Sequence, residues 1–249
     1  VRRLESDIWS EYESTPTHQT LTAIKNGGLV LGAYLEEELI GFQYSFPGYN
    51  GEKAYLCSHI LGVHPVFQKL GIGEKLKLEE KEESLKKGYD LVTWTYDPLE
   101  TVNGNLNLHK LGGRCSSYVE NCYGEMKDDL NQGMPSDRFA VEWWIKEEPA
   151  ARPSKYEIEG SLLINTDRYD NGDLVPAEIE LKKDSADGYL FVPVPSNFQT
   201  LKKNSSELAL SWRMSTRKVF AHYFTKGWEA IDLFRNKSES DLCYYVLKK

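Results

Sequence analysis

No apolar run in this chain approaches the ~20 residues that a membrane-spanning helix needs. The four cysteines, Cys57, Cys115, Cys122 and Cys243, show no C-x-x-C spacing. They exclude a metal knuckle and a disulfide framework, and they read as ordinary thiols of a reducing compartment. A cytoplasmic setting is therefore expected, with no metal. Cationic excess is also lacking. Thirty Lys and Arg stand against 38 Asp and Glu, a formal charge of −8, which argues against nucleic acid or an anionic membrane as the main partner. No secretory leader is legible, and a start at Val1 without Met fits a processed or truncated chain. Internal repeats and low-complexity tracts are missing. What remains is an ordinary globular composition over 249 residues, enough for one large core or two small ones.

The most informative stretch is residues 59–73. An apolar strand-like run (Ile60, Leu61, Val63) stops at Pro65, a turn carries Gln68-Lys69-Leu70-Gly71-Ile72-Gly73, and a charged helix is predicted from about Glu74 to Lys87. Strand, glycine turn and helix together make an anion site: glycines let consecutive N–H groups converge, and the positive end of the helix dipole adds to them. The spelling is neither G-x-x-x-x-G-K-[ST] nor G-x-G-x-x-G, so neither a P-loop nor a dinucleotide fingerprint is present.

Before this stretch, a helix is expected at 17–26, closed by Gly27-Gly28. Strands are expected at Leu29–Leu35 and Leu39–Pro47, joined by a solvated Glu36-Glu37-Glu38 turn, and at Ala54–Val63. After it come a strand at Asp90–Tyr96, a short helix at Asn103–Leu111 and a strand at Phe139–Ile145. The strand–helix–strand unit implies a parallel crossover. From Lys146 to Asp187 the pattern fades, with edge strands at most at Tyr156–Asn165 and Ala177–Lys182. A strand at Tyr189–Val194, a helix from Ser205 to Thr225 and strands at Trp228–Phe234 and Leu242–Leu247 close the chain.

Gln-x-x-Gly-x-Gly after a strand resembles the acyl-CoA pyrophosphate loop of the GNAT acyltransferase superfamily. Further strings resemble a subgroup of predicted acetyltransferases with a long C-terminal extension: Ser58-His59-Ile60-Leu61-Gly62-Val63, Thr93-Trp94-Thr95-Tyr96-Asp97-Pro98-Leu99, Asn107-Leu108-His109-Lys110-Leu111-Gly112, Tyr123-Gly124-Glu125-Met126, Pro135-Ser136-Asp137-Arg138 and Trp212-Arg213-Met214-Ser215-Thr216-Arg217. The resemblance implies an α/β (α+β) GNAT fold, a mixed, mostly antiparallel sheet with helices on both faces. It implies a core over 1–145, an irregular excursion over 146–187, and an α+β extension over 188–249 that packs on the core.

The same resemblance implies chemistry. Acyl transfer to an amine needs CoA held, a neutral amine, an oxyanion donor and a leaving thiolate. Carried over, Leu61, Gly62 and Val63 supply main-chain contacts to pantetheine, and Gln68, Lys69, Leu70, Gly71, Ile72 and Gly73 bind pyrophosphate. Asn103 and Asn107 lie near the pantetheine amides, and a backbone N–H near Ile60 or Leu61 meets the oxyanion. The family's usual Glu base is absent from the strand. His59 stands there and titrates in the right range, with packing of a half-buried strand histidine as the alternative. The usual Tyr acid is absent too, since its position holds Leu108. Tyr123 is the favoured substitute, with His109 and Tyr118 behind it; the alternatives are a packed Tyr123 with a satisfied hydroxyl and a thiolate that leaves without an acid, as its moderate pKa permits. Asp97, Glu125, Asp137 and Arg138 are candidates for the acceptor site. Arg213 and Arg217, four apart on a helix, are candidates for gripping a carboxylate or the CoA 3′-phosphate, or for surface salt bridging.

The expected function is acyl-CoA-dependent N-acyl transfer, from acetyl-CoA or succinyl-CoA to a small-molecule amine such as an amino acid. Two other readings stand beside it: a protein N-acetyltransferase, and a non-catalytic acyl-CoA-binding module. Oligomeric state is not legible.

Overall fold

The computed structural model describes residues 1–8, 15–126, 132–169, 172–183, 185, 188–236 and 241–249. The chain divides into two compact units, Val1–Trp94 with Glu142–Glu148, and Thr95–Val141 with Pro149–Lys249. The segment 1–145 thus contributes to both units, and 188–249 lies within the second. Among the described residues no helix is long and apolar enough to cross a membrane.

The first unit begins with α1 (Arg2–Ile8) and α2 (Thr17–Lys25), followed by β1 (Leu29–Leu35), β2 (Glu38–Tyr49) and β3 (Ala54–Val63). After a short 3-10 turn at Pro65–Phe67 come α3 (Ile72–Lys86) and β4 (Leu91–Tyr96), whose last two residues pass into the second unit. β1 to β3 pair antiparallel in chain order. β3 and β4 pair parallel, as the right-handed crossover through α3 requires. Ser58 turns toward α3, whereas His59 turns to the other face, where α1 packs on β2 and β3. The sheet of this unit therefore carries helices on both faces. The later residues Glu142–Glu148 complete the unit: Ile145 N–H donates to Asp90 O at 3.0 Å, and Trp143 stands edge-on to Trp94 at 6.0 Å.

The second unit holds α4 (Thr101–Gly104), a π-helical stretch at Asn105–Lys110, β5 (Arg114–Val119) and the start of β6 (Arg138–Trp144). The hairpin β7 (Ile164–Arg168) and β8 (Leu174–Ile179) follows. Then come β9 (Tyr189–Pro195), α5 (Phe198–Asn204), α6 (Ser206–Phe224), β10 (Glu229–Arg235) and β11 (Leu242–Lys248). Antiparallel pairing runs β5-β10-β11-β9. The core is aromatic, with Phe139 in edge contact with Phe220 at 4.7 Å and Tyr245 at 5.3 Å. Trp212 on α6 is fully buried and donates its indole N–H to Leu174 O.

Several boundaries differ from the sequence expectation. The strand expected at Tyr156–Asn165 starts only at Ile164. Tyr156 instead stacks on Phe234 at 4.9 Å and donates its hydroxyl to Asp232, which commits it to packing rather than to a ladder. The strand expected at Ala177–Lys182 lies earlier, at Leu174–Ile179, where it pairs with β7. The helix expected from Ser205 to Thr225 is α6: Ser205 is its N-cap, extended in backbone, with its hydroxyl accepting from Leu208 N–H, and only the preceding α5 lies outside the expectation. The helix expected at Asn103–Leu111 starts at Thr101 and widens into the π-helical turn. β5 was not anticipated.

Candidate active site

Three local features of the first unit converge at the C-terminal end of β3. The first is a slip of register. Tyr44 faces Ile60 and Ser45 faces Ser58, so His59 has no partner on β2. One extra residue in a strand is a β-bulge, which bends the strand and re-aims a side chain. Here it puts the imidazole beside two rings, Phe46 at 5.5 Å and Tyr44 at 6.0 Å. His59 is exposed on the strand; partial desolvation by these rings lowers its pKa from the ordinary value, and the Glu5 carboxylate on α1 opposes the shift. Glu5 is itself buried: Oε1 accepts from Thr15 N–H at 3.2 Å, and Oε2 has no hydrogen-bond partner among the described residues. Sequence reasoning missed Glu5, because nothing in Arg2–Ile8 marks one acid as inward-facing.

The second feature is an open strand edge. The parallel ladder between β3 and β4 covers Leu56–Val92 and Cys57–Thr93. Among the described residues it goes no further, so the main chain of Ile60, Leu61, Gly62 and Val63 lies beyond that ladder. An amide-bearing chain can pair there as a strand would.

The third feature is the turn into α3. His64 ends β3 and accepts from Val66 N–H through Nδ1, a structural role. Gln68 donates its side-chain N–H to Val63 O at 3.2 Å, which ties the loop to the strand. Lys69 and Gly71 both take positive φ, +64° and +77°. Gly71 is the N-cap and supplies no capping side chain, so the first N–H groups of α3 stay available. A Cβ built on Gly71 meets nothing within 4 Å. Gln68, Lys69, Leu70 and Gly71 are exposed, and Ile72 and Gly73 half-buried. A glycine N-cap in the left-handed conformation, at the start of a 15-residue helix and beneath open space, leaves the positive end of the helix dipole uncovered by a capping side chain.

The other expected site residues lie in the second unit. Asn103 is exposed on α4, while Asn107 is buried in the π-helical turn and accepts from Gly113 N–H. Leu108, where the family places its acid, is fully buried. His109 is held by the buried Asp232 at 2.9 Å. Tyr118 donates to Asp137 at 2.7 Å, and burial pushes its pKa well up. A phenol held neutral and engaged in this way makes a poor acid. Tyr123 is exposed, shares a 2.7 Å hydrogen bond with Thr95 Oγ1, and has the Arg138 guanidinium 5.4 Å from its ring centroid.

The two expected arginine forks are engaged inside the chain. Arg213 is fully buried and bonds to Asp97 through Nη2. Arg217 grips Asp137 with Nε and Nη2, both at 2.8 Å, and reaches Glu120 through Nη1. Arg213 is thus paired inside the chain, whereas Arg217 combines the Asp137 fork with a solvent-exposed pair to Glu120. Arg138 lies 3.9 Å from Asp97. Burial alone would raise Asp137, but the Arg217 fork, Asn121 N–H and Tyr118 outweigh it and hold the carboxyl below its ordinary pKa. Glu125 is exposed and lines, with Asn121, Met126 and Arg217, an open cavity of about 800 Å³. Among the described residues no group of three or more His, Cys, Asp or Glu could hold a metal ion.

No curated protein matches the sequence. Among solved structures, the chain is similar to a GNAT family acetyltransferase from Elizabethkingia anophelis with acetyl-CoA bound, at 21% identity over 51% of this chain and 80% of that one, TM-score 0.42. It is similar to aminoglycoside 6'-acetyltransferase type Ii at 20% identity over 59% and 89%, TM-score 0.45. It is likewise similar to the ribosomal-protein-S18-alanine N-acetyltransferase from Escherichia coli at 15% identity over 63% and 90%, TM-score 0.45. The Acetyltransferase (GNAT) family model matches residues 1–112, which hold the bulged strand and the glycine turn, so this segment is similar to a GNAT acetyltransferase domain.

Proposed function

We infer that the protein transfers an acetyl group from acetyl-CoA to a small-molecule amine, an amino acid among the candidates, with succinyl-CoA as the alternative donor. The observation that carries this reading is the coincidence on one strand end of the bulged His59, the open edge at Ile60–Val63 and the αL-turned loop at Gln68–Gly73. In this reading the loop N–H groups take the pyrophosphate, and the β3 edge takes the pantetheine amides. Asn103 and Asn107 remain candidates for further pantetheine contacts. A main-chain N–H at Ile60 or Leu61 faces the carbonyl oxygen as it becomes an oxyanion.

The chemistry balances with these groups. The neutral amine attacks the thioester carbon and a C–N bond forms. The C–S bond then breaks, and CoA leaves as the thiolate. The proton lost by the ammonium passes to His59, directly or through water. Lowering of the His59 pKa by partial desolvation supports this role, since the ring is neutral and ready to accept near pH 7. Tyr123, with an exposed hydroxyl, is our candidate to protonate the thiolate. Glu125, an exposed carboxylate at a cavity, is our candidate for recognising a cationic acceptor group. Asp97, Asp137, Arg138, Arg213 and Arg217 are assigned the framework around that cavity, because their charges are spent largely on one another. Four free thiols support a reducing, cytoplasmic setting.

Thiol release with acetyl-CoA and succinyl-CoA against a panel of free amino acids, polyamines and peptides tests the reading. Turnover with a small amine is expected. Turnover restricted to peptides would give a protein N-acetyltransferase instead, and CoA binding without thiol release would give a non-catalytic module.

A further inference from the structure

The register slip at His59 has a physical cause in the layer beneath it. The two residues that face each other just before the bulge are Ser45 on β2 and Ser58 on β3. Both hydroxyls end on one carboxylate, that of Glu80 on α3: Ser45 Oγ donates to Oε1, and Ser58 Oγ donates to Oε2 at 3.1 Å. Gln43, two residues before Ser45 on the same face, donates to Oε1 at 2.5 Å and to Ser58 Oγ at 3.3 Å. Lys77, one turn earlier on α3, donates to Ser58 Oγ at 2.7 Å and to Glu80 Oε2 at 3.0 Å. Its ammonium sits 3.6 Å from the centroid of the Trp94 ring. All five polar side chains are buried, Glu80, Gln43 and Ser45 completely.

Such a network is costly as a source of stability. Burying two charges costs several kcal/mol per ion, and well-packed apolar residues in their place are often neutral or stabilising. What the network does select is a register. A slide of β3 by one residue turns every side chain to the opposite face. It would take Ser58 off Glu80 and Lys77, stranding a buried ion pair, and would turn His59 away from Tyr44 and Phe46 toward α3.

We propose that the Lys77–Glu80 pair is a register clamp: by holding Ser45 opposite Ser58 it fixes the bulge at His59, and so positions the imidazole and the Ile60 N–H for acyl transfer. Lys77 and Glu80 are positioning residues in this account, which rests on reading His59 as part of the reaction centre.

The test is the paired substitution Lys77→Met/Glu80→Leu, which removes both charges and leaves no orphan. The variant is expected to fold and to bind CoA within about threefold of the wild type, since the Gln68–Gly73 loop is untouched. Its kcat should fall by about 10²-fold, the scale of a reacting group misplaced by about 1 Å. By NMR, the cross-strand backbone contact between Tyr44 and Ile60 should be lost, and the His59 ring should lose its contacts with Tyr44 and Phe46. A second variant, Ser45→Ala/Ser58→Ala, frees the strands while keeping the ion pair, and gives the same reading if the first does not fold. A folded variant that keeps the Tyr44–Ile60 contact, or that loses it with kcat within twofold, overturns the proposal. The NMR arm separates the clamp from the function: a wild type without thiol release would sink the transferase reading while the register is still measured.

Discussion

Arg213 is closed onto Asp97 inside the second unit, with none of the arginine at the surface. Among the described residues its Nε and Nη1 have no hydrogen-bond partner, so Asp97 is the leading compensation for a buried guanidinium, with Tyr118 and Asp137 behind it. Removing one partner of a buried pair costs about 3–5 kcal/mol. Asp97→Ala should therefore lower the stability of the protein by that order in urea denaturation. A change below about 1 kcal/mol, with a raised KM for a carboxylate-bearing acceptor, would restore the substrate-gripping role expected from the sequence.

Gly71→Val should weaken CoA binding about tenfold or more, since its side chain would fill the open space over the loop and hold the phosphate off its N–H groups, each such charge-assisted contact being worth about 1.5–3 kcal/mol. The substitution also strains a residue at φ +77°, where a side chain costs about 1–2 kcal/mol. Calorimetry with CoA on a variant of native circular dichroism decides the point. Unchanged affinity would remove the loop from the CoA site.

His59→Ala should lower kcat by about 10²–10⁴ if the ring accepts the proton. The acid limb of kcat/KM should lie below the ordinary histidine pKa of about 6.5, because partial desolvation disfavours the imidazolium. Glu5 opposes that shift, so Glu5→Gln should move the limb to still lower pH. A limb that moves upward, or stays put while the His59 NMR titration also stays put, contradicts the assignment.

Acid should loosen the second unit. Asp137 binds its proton less readily folded than unfolded. Its contribution is therefore complete above the unfolded carboxylate pKa of about 3.9 and disappears as pH falls through the lower folded value. Denaturation midpoints taken from pH 6 downward should fall in the wild type and flatten in Asp137→Asn. Parallel curves for the two proteins would assign the acid sensitivity elsewhere.

How much was legible in the sequence follows from the range of each interaction. β1 and β3 stand where alternation and punctuating residues put them, because strand pattern and Gly or Pro stops are local. The Gln68–Gly73 turn is local as well. The bulge at His59 is not, since it exists only relative to β2. The partners of the two arginines are not legible from the helix, because Asp97 and Asp137 lie 116 and 80 residues away in sequence, beyond any helix-face argument. The π-helical turn at Asn105–Lys110 carries the same residue pattern as an α-helix, and only its hydrogen-bond spacing tells them apart.

The return of Glu142–Glu148 to the first unit has a consequence for how the protein is made. A chain emerging from the ribosome presents residues 1–94 long before the segment that supplies Trp143 and Ile145 to Trp94 and Asp90. The family-matched segment, 1–112, ends before that strand is synthesised. Until then the nascent polypeptide exposes an incomplete sheet to chaperones and proteases. A fragment cut at residue 112 should inherit that condition permanently, whereas the strand supplied as a separate peptide should rescue it by complementation.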